Sequence, residues 1–187
     1  WPILADVPLG AAPARARVSL LRHDPVVGLA VDAETVVAIE RVGAALSEVG
    51  HDVREAWPAG LEALRDSAFP RHNSTAVDFI RAQSISWLEA RLGRPVVDGE
   101  VEAAVMEQAA RGRSLTAAHL VEAVDGMRDV IEPVAAWFEP HDVLVTPVTH
   151  TGPSPIGTSE PFGIGVFCAP FSFTGQPAMS VPVGQRA

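Results

Sequence analysis

Residues 32–57 read DAETVVAIERVGAALSEVGHDVREAW, and the change of period along them decides the fold. Val36, Ile39, Val42, Leu46 and Val49 recur at three and four residues, which is one face of an amphipathic helix. Asp32 stands where a carboxylate accepts from the free N–H groups of a first turn. Gly50 marks the stop, because glycine takes the left-handed conformation at little cost. His51–Trp57 then alternates and reads as an exposed or edge strand. Upstream, Val18–Leu21 (VSLL) is a short apolar run that reads as a buried strand. Strand, helix, glycine, strand is a βαβ-like unit, which favours parallel pairing.

Working outward, residues 58–71 predict a short helix or loop. Thr75 with Asp78 resembles a capping box opening a second helix, with Val77, Ile80, Ser84, Trp87, Leu88 and Leu92 inward and Gly93 as its end. Asp98 is expected to open a third helix, with Val101, Val105, Met106 and Ala109 inward and Gly112 as its stop. Thr116 opens a fourth, with Leu120, Ala123, Met127, Val130, Ile131, Val134 and Phe138 inward. Pro133 is expected to kink it, or to split it near Ile131. Val143–Thr146 (VLVT) is an uninterrupted apolar run, the pattern of a strand in the middle of a sheet. Residues 149–165, rich in Pro, Gly, Ser and Thr, predict a long loop. Residues 167–173 predict a short helix or turn, and Ala178–Val183 (AMSVPV) a final strand. The expected fold is α/β: a mixed twisted sheet of Val18–Leu21, Val53–Trp57, Val143–Thr146 and Met179–Val183, flanked by helices. Residues 1–17 read as a linker or peripheral arm, and residues 18–187 as the domain. Both ends read as cut from something longer.

A chain of 187 residues, 48% hydrophobic and 20% charged, can bury a real core. All 14 basic residues are arginine, so there is no lysine, and the net charge is -9. Without a basic run, nucleic acid and anionic membranes are not expected partners. No apolar run approaches the roughly 18 residues that a membrane helix needs. No signal peptide is visible, so a cytoplasmic location is expected. The single cysteine, Cys168 in FCAPF, reads as a buried, inert thiol.

Three local matches carry a resemblance: LSEVGHDVREA (46–56), HDVLVTP (141–147) and FSFTGQPAMSVPVG (171–184). They resemble the post-catalytic half of the amidase signature family. The resemblance implies a partial amidase signature fold and hydrolysis of carboxamide C–N bonds. It also implies a nucleophilic serine in a glycine- and serine-rich loop, a bridging serine and a lysine proton relay, an adjacent base activating a weak nucleophile. This chain holds no lysine and no such loop. The expectation is the C-terminal portion of an amidase that is not catalytic alone, a small-molecule amide being bound only by the complete protein. The alternative is a non-catalytic module that oligomerises or binds a partner. Expected partners are a second copy of the chain, as a homodimer, or the missing N-terminal amidase portion.

Thr146, Pro147, Phe171, Phe173, Thr174, Gly175 and Gln176 are the substrate-pocket candidates, because matching segments approach the substrate region in the complete family fold. No catalytic residue, metal ligand or cofactor is assigned. Ser180 in AMSVP reads as a strand serine, and the tryptophans as core fillers. His23, His51 and His141 each precede an aspartate. Such dipeptides point their side chains apart and read as turn residues rather than dyads. Glu107 with Arg111 reads as a solvated helix face.

Overall fold

The computed structural model describes residues 13–64, 67, 69–152 and 167–184. The sequence fold class holds: among the described residues, three parallel strands are flanked by helices. β1 (Arg17–Leu20) lies between β2 (Asp52–Glu55) and β3 (Val143–Val145). Val18 pairs with Val53 on one side and Val143 on the other, and both pairings are parallel rather than mixed. α1 (Ala33–Glu48) crosses from β1 to β2, ending at Gly50 with φ 97°. Asp32 is its N-cap residue, but its carboxylate makes no capping hydrogen bond. Gly43 of α1 faces β1: a Cβ there would stand 2.5 Å from Leu20 Cδ1, the far end of a flexible side chain. Val49, assigned to the inward face, is exposed.

The order of strands differs from expectation. VSLL and VLVT are both continuous apolar runs, and periodicity does not say which is central. Burial does. Val18 and Ser19 are buried, whereas Val143 is 43% exposed and β3 is an edge among the described residues. Residues 175–184 form no strand, and Met179 is 84% exposed. A strand exists only through a neighbour that takes its backbone groups, and Pro177 and Pro182 have no N–H to give. Ser180 is therefore exposed rather than in a sheet.

α2 (Gly60–Ala63) is one short turn, and α3 (Phe69–Leu92) starts six residues before the expected capping box. Thr75 is interior, donating its hydroxyl to the Arg71 carbonyl at 3.1 Å. α4 (Ala103–Arg113) opens at Glu102 rather than Asp98 and contains Gly112. The buried face of α3 is Phe69, His72, Ala76, Asp78, Ala82 and Ile85, while Ile80, Trp87 and Leu92 are exposed. The reason is close packing: Ala82 of α3 faces Gly112 of α4, where larger side chains do not fit. Arg111 is not a free surface charge. Its guanidinium donates to both oxygens of buried Asp78, at 2.8 and 3.0 Å. α5 (Ala117–Trp137) begins as expected at Thr116, whose hydroxyl caps the helix in a reciprocal box with His119. It runs through Pro133 without splitting. Proline there removes one hydrogen bond in the penultimate turn, and burial of Val134 holds the segment. α6 (Ala169–Thr174) fits the expected short helix. The core gathers Leu21, Leu61, Leu64, Phe69, Met127, Val134 and Phe167, against which Phe171 and Phe173 pack. Trp87 is exposed beneath Arg91, and the Cys168 thiol is exposed too. The expected loop at 149–165 and arm at 1–17 lie largely outside the described residues, and Arg17 already belongs to β1.

Candidate functional site

Parallel strands present their ligand crevices beyond their carboxyl ends, where connecting segments diverge. Here that end is built by the segment after β1 (21–32), the segment after β3 (146–152) and α6. Leu21 N–H donates to the Val145 carbonyl at 2.9 Å, so the ladder extends to the rim.

The candidate residues fall into two groups. Thr146 and Pro147 leave β3. Thr146 Oγ1 is buried with no hydrogen-bond partner among the described residues, and Pro147 is buried. Phe171, Phe173, Thr174, Gly175 and Gln176 belong to α6 and its cap. The two phenylalanines are anchors: Phe173 meets Phe69 edge-on at 5.5 Å, and Phe171 meets Phe138 at 6.3 Å. Thr174 donates to the Phe171 carbonyl at 3.2 Å and bonds Gln176. Gly175 takes φ 75°, the left-handed cap. Leu144 and both phenylalanines border the same core cluster, so the two groups share one support. Two surface depressions lie elsewhere. One opens at the amino end of the sheet, beside Arg17, Asp52, Arg54 and His141; the other lies along α3, beside Ser84 and Trp87.

The histidine–aspartate pairs fasten strand ends. At the amino end, Asp142 accepts from the Arg17 guanidinium and from its backbone N–H at 2.7 Å. Those bonds hold the Asp142 carboxyl well below the usual range. His51 Nδ1 accepts from Ala16 N–H at 3.1 Å. At the carboxyl end, Asp24 pairs not with its neighbour His23 but with His150, 126 positions away, at 2.8 Å. Their side chains are 0% and 5% exposed. Asp24 also accepts from the backbone N–H groups of Val26 (2.8 Å), Val27 (3.0 Å) and Leu29 (3.2 Å). Burial pushes its carboxyl up, but the Val27 bond, the His150 bond and those from Val26 and Leu29 outweigh it and hold it below the ordinary value. Sequence reasoning missed this pair. Asp24-Pro25 with Gly28 downstream is a legible turn signal; nothing local points to His150.

The amidase family model matches residues 5–187. The chain belongs to the amidase family. It is 32% identical over 193 aligned residues to a 6-aminohexanoate-cyclic-dimer hydrolase of Paenarthrobacter ureafaciens, covering 94% of this chain and 38% of that protein. The counterpart of Pseudomonas sp. (strain NK87) is 31% identical over the same shares. Among solved structures, 6-aminohexanoate cyclic dimer hydrolase superposes with a TM-score of 0.81 at 31% identity, over 94% of this chain and 40% of that one. A bacterial aryl acylamidase of the amidase signature family superposes with a TM-score of 0.67 at 18% identity, over 92% and 38%, a likeness of fold. This amidase chain thus spans about two fifths of the length of the relatives it matches. No helix among its described residues is long and apolar enough to cross a membrane.

Proposed function

We propose that this chain is the C-terminal share of a hydrolase of carboxamide C–N bonds, and that it supplies scaffold and pocket wall rather than the reacting groups. One observation carries the reading: the amidase family resemblance implies a lysine proton relay, and the sequence has none. Arginine does not replace it, because its guanidinium stays protonated and cannot relay a proton near neutral pH. The match to about two fifths of the relatives' length supports the same reading, in which the serine pair and lysine would belong to the other part. Thr146, Pro147 and the α6 group then line one side of the amide pocket. Cyclic amides of the kind named for the relatives are the first substrates to try on the complete protein.

The test is direct. Purified chain is incubated with simple carboxamides and a serine-directed fluorophosphonate probe; neither turnover nor labelling is expected. Labelling abolished by Ser180→Ala would overturn the reading. A second reading, a non-catalytic association module, is favoured by one feature: Met179, Val181 and Val183 are all exposed on a segment without regular secondary structure. In light scattering that reading requires a dimer mass that falls on dilution.

A further inference from the structure

We propose that Asp24 and His150 form a positioning clasp that holds the pocket wall of the proposed hydrolase, a role that rests on the amide-hydrolase reading above. The pair closes three segments onto one point at the carboxyl end of β1 and β3. Asp24 folds its own segment by accepting from Val26, Val27 and Leu29. His150 takes the second carboxylate oxygen at 2.8 Å. The His150 carbonyl accepts from Asp32 N–H at 2.8 Å, so the residue grips both ends of the connection between β1 and α1. Its ring lies 5.0 Å from that of buried Phe167, two residues before α6. The segment bearing Thr146 and Pro147, the segment bearing Val26–Asp32 and the start of α6 therefore all meet at one histidine.

Chemistry explains why these two residue types suit the place. A carboxylate removed from water is tolerable only when its lone pairs are taken up. Asp24 Oδ1 has two N–H donors, whereas Oδ2 has only the longer Leu29 bond apart from His150. Without the imidazole, the carboxylate pulls toward water and carries its turn with it. The buried Thr146 oxygen, four residues before His150, has no hydrogen-bond partner among the described residues, so this rim also offers a polar atom to the pocket side.

Two arms test the clasp. In this chain, amide hydrogen exchange is compared for wild type, His150→Ala and His150→Gln. His150→Ala is expected to speed exchange at Val26, Val27, Leu29 and Asp32 roughly tenfold to a hundredfold, with Ile85, Ala109 and Ala123 unchanged. His150→Gln, whose carboxamide N–H reaches a similar position, is expected to restore protection. Uniform acceleration across all these amides, or none, overturns the clasp. In the complete protein, steady-state amide hydrolysis is compared for the same variants. A positioning role raises KM several-fold with kcat nearly kept, reversed in His150→Gln. Loss of kcat alone, with KM unchanged, overturns the positioning role. A complete protein without any amide hydrolysis sinks the hydrolase reading and the pocket role together, while the exchange arm still decides whether the clasp exists.

Discussion

Replacing Gly112 by alanine tests how closely α3 and α4 must approach. A Cβ built on Gly112 would lie 1.9 Å from the Asp78 carbonyl oxygen, 2.5 Å from its carbonyl carbon and 2.9 Å from Ala82 Cβ. The first contact is about 1.5 Å short of ordinary van der Waals distance, and it is made by backbone, which cannot rotate away. α4 would have to move bodily and pull on the Arg111–Asp78 bonds beside it. Overpacking of this kind costs about 1–3 kcal/mol, and a clash with backbone belongs at the upper end. Alanine offsets about 1 kcal/mol through its better helix propensity. The expected net loss is about 2 kcal/mol, which in a chain of this size lowers the melting temperature by about 4–8 °C. Urea titration should show a lower midpoint with an unchanged slope. Gly43→Ala is the internal control. Its nearest contact is Leu20 Cδ1, the far end of a flexible side chain, so the same propensity gain should leave stability equal or slightly raised. The packing argument fails if Gly112→Ala is as stable as wild type, or if both glycines respond alike.

Two further outcomes follow from the rim of the sheet. The folded-state pKa of Asp24 is depressed, so its contribution is fully present above its unfolded value near 3.8 and is lost as pH falls through the folded value. The stability difference between wild type and Asp24→Asn, measured by urea unfolding from pH 7 downward, should be constant to about pH 5 and shrink below pH 4; a difference that grows on acidification contradicts the sign. Thr146→Val should be neutral or stabilising by up to about 1 kcal/mol, because it removes a buried oxygen with no partner. A loss above that size in thermal melts means the hydroxyl is bonded.

Several elements were legible because their causes are local. The 3.6-residue recurrence over residues 33–48, the left-handed stop at Gly50, the Thr116 cap and the inward face of α5 each depend on neighbours within a turn or two. The family block at 171–184 was legible as a string, and the family match extends it over residues 5–187. Other features depend on partners distant in sequence. The face of α3 misled because it buries alanine, histidine and aspartate and exposes isoleucine and tryptophan, a choice set by where α4 comes close. VSLL and VLVT were interchangeable as text until pairing made the first central and the second an edge. AMSVPV had the composition of a strand, but strand structure needs a neighbour, and no pairing forms among the described residues. The sequence by itself determined α1, α5, the parallel unit, the family and the missing lysine, because those are properties of residue type and short spacing. Only the tertiary structure decided strand order, the Gly112 contact and the Asp24–His150 pair, because a hydrogen bond across 126 positions is specified by the packing that brings its ends together and leaves no period in the chain.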